Sequence, residues 1–212
     1  DQTASPARRR RLTRPQGYAM FRFLKNSPTT NFLRIPLPEV GGKLFVSPMP
    51  FGPYDTSNSV IKDYKKHSID VAVSLVTDDE VSRKAKRNVW SHYEKHGIEA
   101  FRIPFKDLTC PAADQLHREM PAILTRLQAK NVVVHCNAGV GRTGVVTCCI
   151  VRSVRGCDGN AAISYVMGIM HTNMTDEQQR FVRNWQIPNA APENSPPHRE
   201  TLQGGDDRPI GR

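Results

Sequence analysis

The chain reads as an α/β protein, with a mainly parallel central sheet flanked by helices on both faces. Two observations predict this. Short apolar, β-branched runs alternate with longer segments whose apolar residues recur every three or four positions. One apolar run, Val132 to Val134, passes through a glycine-broken turn directly into a second, Val145 to Val151. That sequence of features predicts a buried strand, a tight turn and a buried helix.

Composition sets the frame. A chain of 212 residues accommodates one domain with a substantial core plus tails. No apolar stretch reaches the roughly 18 residues of a membrane span, and no signal-peptide pattern opens the sequence. Five cysteines, odd in number and irregular in spacing, favour a reducing compartment over a disulfide framework. No pair of CxxC units suggests zinc. A net charge of +10 favours anionic partners, among them phosphoprotein, nucleic acid or acidic lipid. Residues 1–39 carry the run Arg8 to Arg11, with Arg14 and several prolines. They are expected to form a basic, largely disordered arm, with nuclear targeting or an acidic partner as its use. The folded domain is expected over 40–187 and a disordered tail over 188–212. A cytoplasmic location follows as the expectation, with the nucleus as the alternative.

Within 40–187 the elements follow in order. Lys43 to Ser47 forms the first strand. A helix over Ser57 to His67 turns Val60, Ile61 and Tyr64 inward, with its N-cap near Ser57. Asp70 to Val76 is a buried strand. Val81, Ala85, Val89 and Tyr93, four apart, predict one helix from Val81 to His96, stopped by Gly97. Glu99 to Pro104 is the third strand, followed by the loop Pro104 to Asp114. Asp114 is read as the N-cap of a helix that aligns Leu116, Met120, Ile123, Leu124 and Leu127, with a kink or late start at Pro121. Thr143 to Val154 is apolar nearly all round and should lie deep. Ala161 to Met170 and Thr175 to Trp185 are the last two helices. Thr175 and Gln178 are spaced as a capping box.

The chemistry concentrates in His135 to Gly144, HCNAGVGRTG. Gly139, Gly141 and Gly144 let the loop curl so that backbone N–H groups converge beside a helix N-terminus. Such a nest binds phosphate. Cys136 lies at its base, and the planar fork of Arg142 suits two phosphoryl oxygens. The positive field favours the thiolate of Cys136, which makes it a nucleophile placed against a bound phosphate. The spacing alone is weak, since Cys149 and Arg155 share it. The glycines, His135 and the Thr143 hydroxyl set the first match apart.

HCNAGVGRTG resembles the signature loop of the protein tyrosine phosphatase superfamily. The layout of elements from about Val40 to Ile187 is similar to small dual-specificity phosphatases of the cyclin-dependent-kinase-associated type. The resemblance implies a protein tyrosine phosphatase-like fold and a cysteine-dependent phosphatase needing neither metal nor cofactor. It implies that Cys136 is the nucleophile and that Arg142 and the amides of Asn137, Ala138, Gly139, Val140 and Gly141 hold the phosphate. Thr143 would ease thiolate departure, and His135 would orient the loop. Asp107, 29 residues before Cys136, would be the general acid, although it also reads as a turn residue. Gln178 or Gln179 would approach the site and position water, against the purely structural capping reading. Cys110, on the loop of Asp107, could shield Cys136 through a reversible disulfide. The uncharged residues between Cys136 and Arg142 point to a phosphotyrosine or phosphoserine/threonine substrate. RNA 5′-triphosphatase, inositol phosphate or phosphoinositide phosphatase, and a non-catalytic phospho-binding module are the alternatives.

Overall fold

The computed structural model describes residues 32–55 and 57–188; the basic run and the tail beyond Pro188 lie outside the described residues. Five strands form one sheet in the order β1-β2-β5-β3-β4: β1 (Leu33–Ile35), β2 (Leu44–Ser47), β3 (Val71–Ser74), β4 (Glu99–Arg102) and β5 (Val132–His135). All pairings are parallel except that of β1 with β2. Alternation along each strand divides the side chains between two cores. Leu44, Val46, Val71, Val73, Val132 and Val134 face a large core. It is completed by α4 (Ala113–Leu127), α5 (Gly141–Arg155), α6 (Gly159–Met167) and α7 (Asp176–Asn184). Phe45, Ala72 and Val133 face a smaller core. There they meet α1 (Ser59–Lys66), α2 (Asp78–Lys84) and α3 (Val89–Lys95). Helices therefore cover both faces, as the sequence predicts. No helix among the described residues is long and apolar enough to cross a membrane.

Several elements differ from expectation, each for a local reason. Within 32–39, assigned above to the arm, Leu33–Ile35 joins the sheet, and Ile35 and Leu37 are buried. Three residues are too few for alternation to reveal. The single helix over Val81 to His96 is two. Thr77 and Glu80 form a reciprocal capping box that starts α2 early, and α2 ends at Ala85 in an extended conformation. The Asn88 side chain then accepts from Trp90 N and Ser91 N to start α3. Val81, Val89 and Tyr93 stay buried, so the apolar spacing survives the break that two caps impose. Asp114 is not an N-cap: α4 begins at Ala113 after Ala112, placing Asp114 in the first turn, where its charge suits the helix dipole. The helix runs through Pro121 without the late start.

The start of α1 is also not capped by Ser57. Its N-cap is Asn58, left-handed at φ 50° and making no side-chain cap bond. The buried carboxylate of Asp55 does the work instead, accepting from Phe51 N at 2.9 Å and Val60 N at 3.2 Å. Asp55→Ala should leave two buried N–H groups unpaired and cost about 1–3 kcal/mol. Urea denaturation checks this, with Asp55→Asn, which keeps one acceptor, expected to lose less.

Candidate active site

The site is built at the carboxyl end of the central strand. His135, the last residue of β5, lies in register between Ser47 of β2 and Ser74 of β3, so three buried polar residues form one row. Leu75 N donates to His135 O, and Met49 N to Asn137 O, which binds the loop to both neighbours. The sequence-predicted loop residues Cys136, Asn137, Ala138, Gly139, Val140 and Gly141 follow, and α5 opens at Gly141. Of the three glycines only Gly139 has positive φ, at 80°. A Cβ there would lie 2.7 Å from the Ser47 carbonyl carbon and oxygen, so no other residue fits against that backbone. Gly144 serves packing instead: a Cβ would crowd Thr172 and Met174.

Cys136 is buried, and Gly139 N–H is directed at its sulfur, with N to Sγ 3.3 Å. The N-cap of α5, Val140, makes no side-chain cap bond. No side-chain oxygen thus competes for the amides of the first turn, which bring the positive end of the helix dipole to the loop. Thr143 is fully buried and its Oγ1 has no hydrogen-bond partner among the described residues.

Arg142 has no exposed surface. One edge of its guanidinium is fully committed. Nη1 donates to Glu80 Oε2 at 2.6 Å, Phe105 O at 2.9 Å and Leu75 O at 3.2 Å, and Nη2 donates to Glu80 Oε1 at 2.8 Å. Of the five N–H groups, the Nε–H and one on Nη2 remain, and they lie on the same side of the fork. Nε makes no hydrogen bond, but Asp107 Oδ1 stands 3.3 Å from it. Burial alone would weaken the Arg142 charge; Glu80, the Cys136 sulfur and Asp107 more than restore it. On the Glu80 carboxyl, burial likewise works against charge, but Arg142 prevails and holds the pKa down at about 2.

Asp107 is mostly exposed and reaches Arg142 from the β4–α4 loop. That loop is pinned from behind. Gln178 is fully buried; its Nε2 donates to Thr109 O at 2.7 Å and its Oε1 accepts from Thr175 N at 3.1 Å. The capping box is therefore present: the oxygen end of the amide completes the cap of α7, and the nitrogen end holds α7 against the Asp107 loop. Gln179 donates instead to Met174 O. His135 Nε2 meets Tyr93 OH at 2.9 Å. Burial lowers its pKa to about 4, opposed by the Cys136 backbone and aided by the Arg142 charge, so the ring is neutral near pH 7. Cys110 and Cys136 are both free thiols. Burial and the nearby Glu177 raise the Cys110 pKa, which disfavours its thiolate.

Sequence reasoning brought Cys136, Arg142, Asp107 and Thr143 together but missed Glu80, Tyr93, Ser47 and Ser74. The Thr77-to-Glu80 capping-box spacing was a visible signal for Glu80 as a helix-start residue. Nothing local signals that its carboxylate also balances Arg142, 62 positions later.

Comparisons with known proteins fit this geometry. A family model described as a polymorphic toxin system DSP-PTPase phosphatase matches residues 51–155. The crystal structure of Tk-PTP in its active form is 26% identical and superposes with a TM-score of 0.58 over 73% of this chain and 93% of that one. The chain is a member of the cysteine-based protein tyrosine phosphatase superfamily. Among other superfamily structures, kinase associated phosphatase shares the fold at 18% identity, with a TM-score of 0.62 over 74% of this chain and 94% of that one. PTPMT1 in complex with PI(5)P does so at 16% identity, with a TM-score of 0.58 over 73% and 93%. The core catalytic domain of the PP-IP phosphatase SIW14 from S. cerevisiae does so at 14% identity, with a TM-score of 0.56 over 76% and 88%. A search of curated protein sequences gave no significant match.

Two titrations bear on the stability of this superfamily site. Glu80 titrates at about 2 when folded against 4.5 ordinarily, so its contribution is present above pH 4.5 and lost as pH falls towards 2. His135 titrates at about 4 against 6.5, so its contribution is present above pH 6.5 and lost as pH falls towards 4. Urea midpoints should decline from pH 6.5 downward, and His135→Asn should flatten the decline between 6.5 and 4. Glu80→Ala, which leaves Arg142 buried and unbalanced, should cost about 3–5 kcal/mol in the same assay at pH 7.

Proposed function

We propose that this phosphatase hydrolyses phosphomonoesters on protein tyrosine, or on tyrosine, serine and threonine alike, through a phosphocysteine intermediate. The observation that carries the reading is the division of the Arg142 fork: Glu80 holds one edge while the other, beside Cys136 and Asp107, keeps its donors for an anion. The Cys136 thiolate attacks phosphorus, forming the S–P bond as the P–O bond breaks. Asp107 gives its proton to the leaving oxygen. Water then attacks, Asp107 takes its proton, and the S–P bond breaks to return the thiolate, which the Thr143 hydroxyl stabilises. Arg142 and the loop amides receive the charge that spreads over the equatorial oxygens. His135, neutral and held by Tyr93, orients the loop and is not a base.

Gln178 acts as a positioning residue for Asp107. One N–H of its amide is given to the loop of Asp107 and its oxygen accepts from Thr175, which favours this role, while the second N–H leaves the water-orienting alternative to be tested.

The absence of charge in Asn137, Ala138, Gly139, Val140 and Gly141 favours a protein substrate over a highly anionic inositol phosphate. The lipid and inositol reading keeps the support of the PTPMT1 and SIW14 likenesses. The DSP-PTPase description of the matching model supports the dual-specificity reading. RNA 5′-triphosphate is the further substrate to test, and the basic run Arg8 to Arg11 is the feature that would serve it.

Wild type should hydrolyse p-nitrophenyl phosphate in the presence of a chelator, and Cys136→Ser should reduce turnover by at least 10³-fold; equal rates would sink the mechanism. Asp107→Asn should lower kcat about 10²-fold or more on phosphopeptides. Gln178→Ala should lower kcat more for a substrate with an alkoxide leaving group than for p-nitrophenyl phosphate, whose leaving group needs less protonation. A panel of phosphopeptides, soluble inositol polyphosphates and RNA 5′-triphosphate, run on wild type and Asp107→Asn, separates the substrate classes.

A further inference from the structure

A second concentration of positive charge lies away from the signature loop, in a cleft between the carboxyl ends of α1 and α3. The cleft has a volume of about 180 Å³. Its floor is apolar, formed by Ile61, Ile69 and Ile98, and its rim carries Lys65, His92 and His96. The two imidazoles stack with centroids 4.0 Å apart and planes within 21°. His96 Nδ1 donates to His92 O at 2.9 Å, which fixes the ring and leaves Nε2 unbonded.

The charge here is uncompensated. His92 is held below its ordinary pKa by burial and then by His96, Lys65, Arg87 and Lys95, with no anion among the causes. No carboxylate of the described residues lies within ion-pair distance of any of these five groups. Basic residues in a last helical turn normally offset the helix dipole. Two helix ends, however, amount to about one negative charge, whereas Lys65 and Lys95 in those last turns carry two positive ones, and Arg87, ahead of α3, adds a third.

Ile69 lies two residues before β3 and Ile98 directly precedes β4, so the cleft is at the amino ends of the strands. Cys136 is at the carboxyl end of β5. Four residues of strand, about 13 Å, separate the two ends, so the cleft is not an extension of the loop that holds Cys136.

We propose that this cleft is a second anion site for a phosphate dianion, free or as a monoester. Its volume admits one such group, and Lys65 with two imidazoles on the rim, joined by the charges of Lys95 and Arg87 that act on His92 from outside the lining, suit a double negative charge better than a single carboxylate. Binding here is independent of the catalytic reading.

The test is site-resolved NMR of the imidazole ¹⁵N resonances at about pH 7.5, where inorganic phosphate, the probe, is mostly the dianion, the His92 and His96 signals being identified by single His→Gln substitutions. Groups facing His92 during the titration are His96, Lys65, Arg87 and Lys95. Both signals should shift saturably, and sodium chloride at matched ionic strength should not reproduce the shift. The double variant Lys65→Gln, Lys95→Gln should weaken the isotherm at least tenfold. The signature-loop amides should titrate as before, and kcat/KM for p-nitrophenyl phosphate should stay within twofold. Single variants of the same exposed lysines provide the comparison if the double variant does not fold. A non-saturating shift, one matched by chloride, or one unchanged in the variants overturns the site. On Cys136→Ser protein, tighter binding of a phosphoserine peptide than of phosphate assigns the site to a monoester, and equal or weaker binding assigns it to free phosphate.

Discussion

A guanidinium sealed from water has to be balanced on all sides, and the surroundings of Arg142 are organised by that demand. Stripping one such ion of its hydration costs several kcal/mol. The return comes from parts of the chain remote in sequence: the carbonyl that follows β3, the first turn of α2 and the carbonyl leading into the Asp107 loop. Because these partners take only one edge, the other keeps its donors in a fixed direction. The acceptor geometry of a phosphoryl group is thus prepared before any ligand arrives.

The ion pair also joins the two sides of the sheet. Glu80 belongs to the helices of the smaller core and Arg142 to a helix of the larger one. Between them, the row Ser47, His135 and Ser74 replaces apolar residues at the ends of three adjacent strands. Apolar packing gives way to hydrogen bonding at the level where the chain must turn into the signature loop.

Much of this was legible in the sequence. Strands buried on both faces read as continuous Val, Ala and Leu runs, and the signature loop carries glycines, a cysteine and an arginine in an order that ordinary turns do not need. What was not legible depends on contacts across sequence distance or on very short elements. The strand Leu33–Ile35 is stabilised by pairing with β2, not by its own pattern. The division between α2 and α3 is decided by Thr77 and Asn88, whose capping competes with a four-residue apolar spacing that is equally satisfied by one helix. Glycine spacing identified the loop, yet only the backbone angles separate Gly139, which the turn requires, from Gly144, which makes room for Thr172 and Met174.

The bond from Gln178 to the Thr109 carbonyl sets how short a working piece of this protein can be. The family match ends at Arg155, but the loop that carries Asp107 is braced by a helix twenty residues further on. A fragment trimmed to the matched boundaries would retain Cys136 and Arg142 while surrendering the buttress of the Asp107 loop. A piece that keeps that loop as it is held here therefore extends through α7, and recombination or truncation designs should treat that helix as part of the same unit.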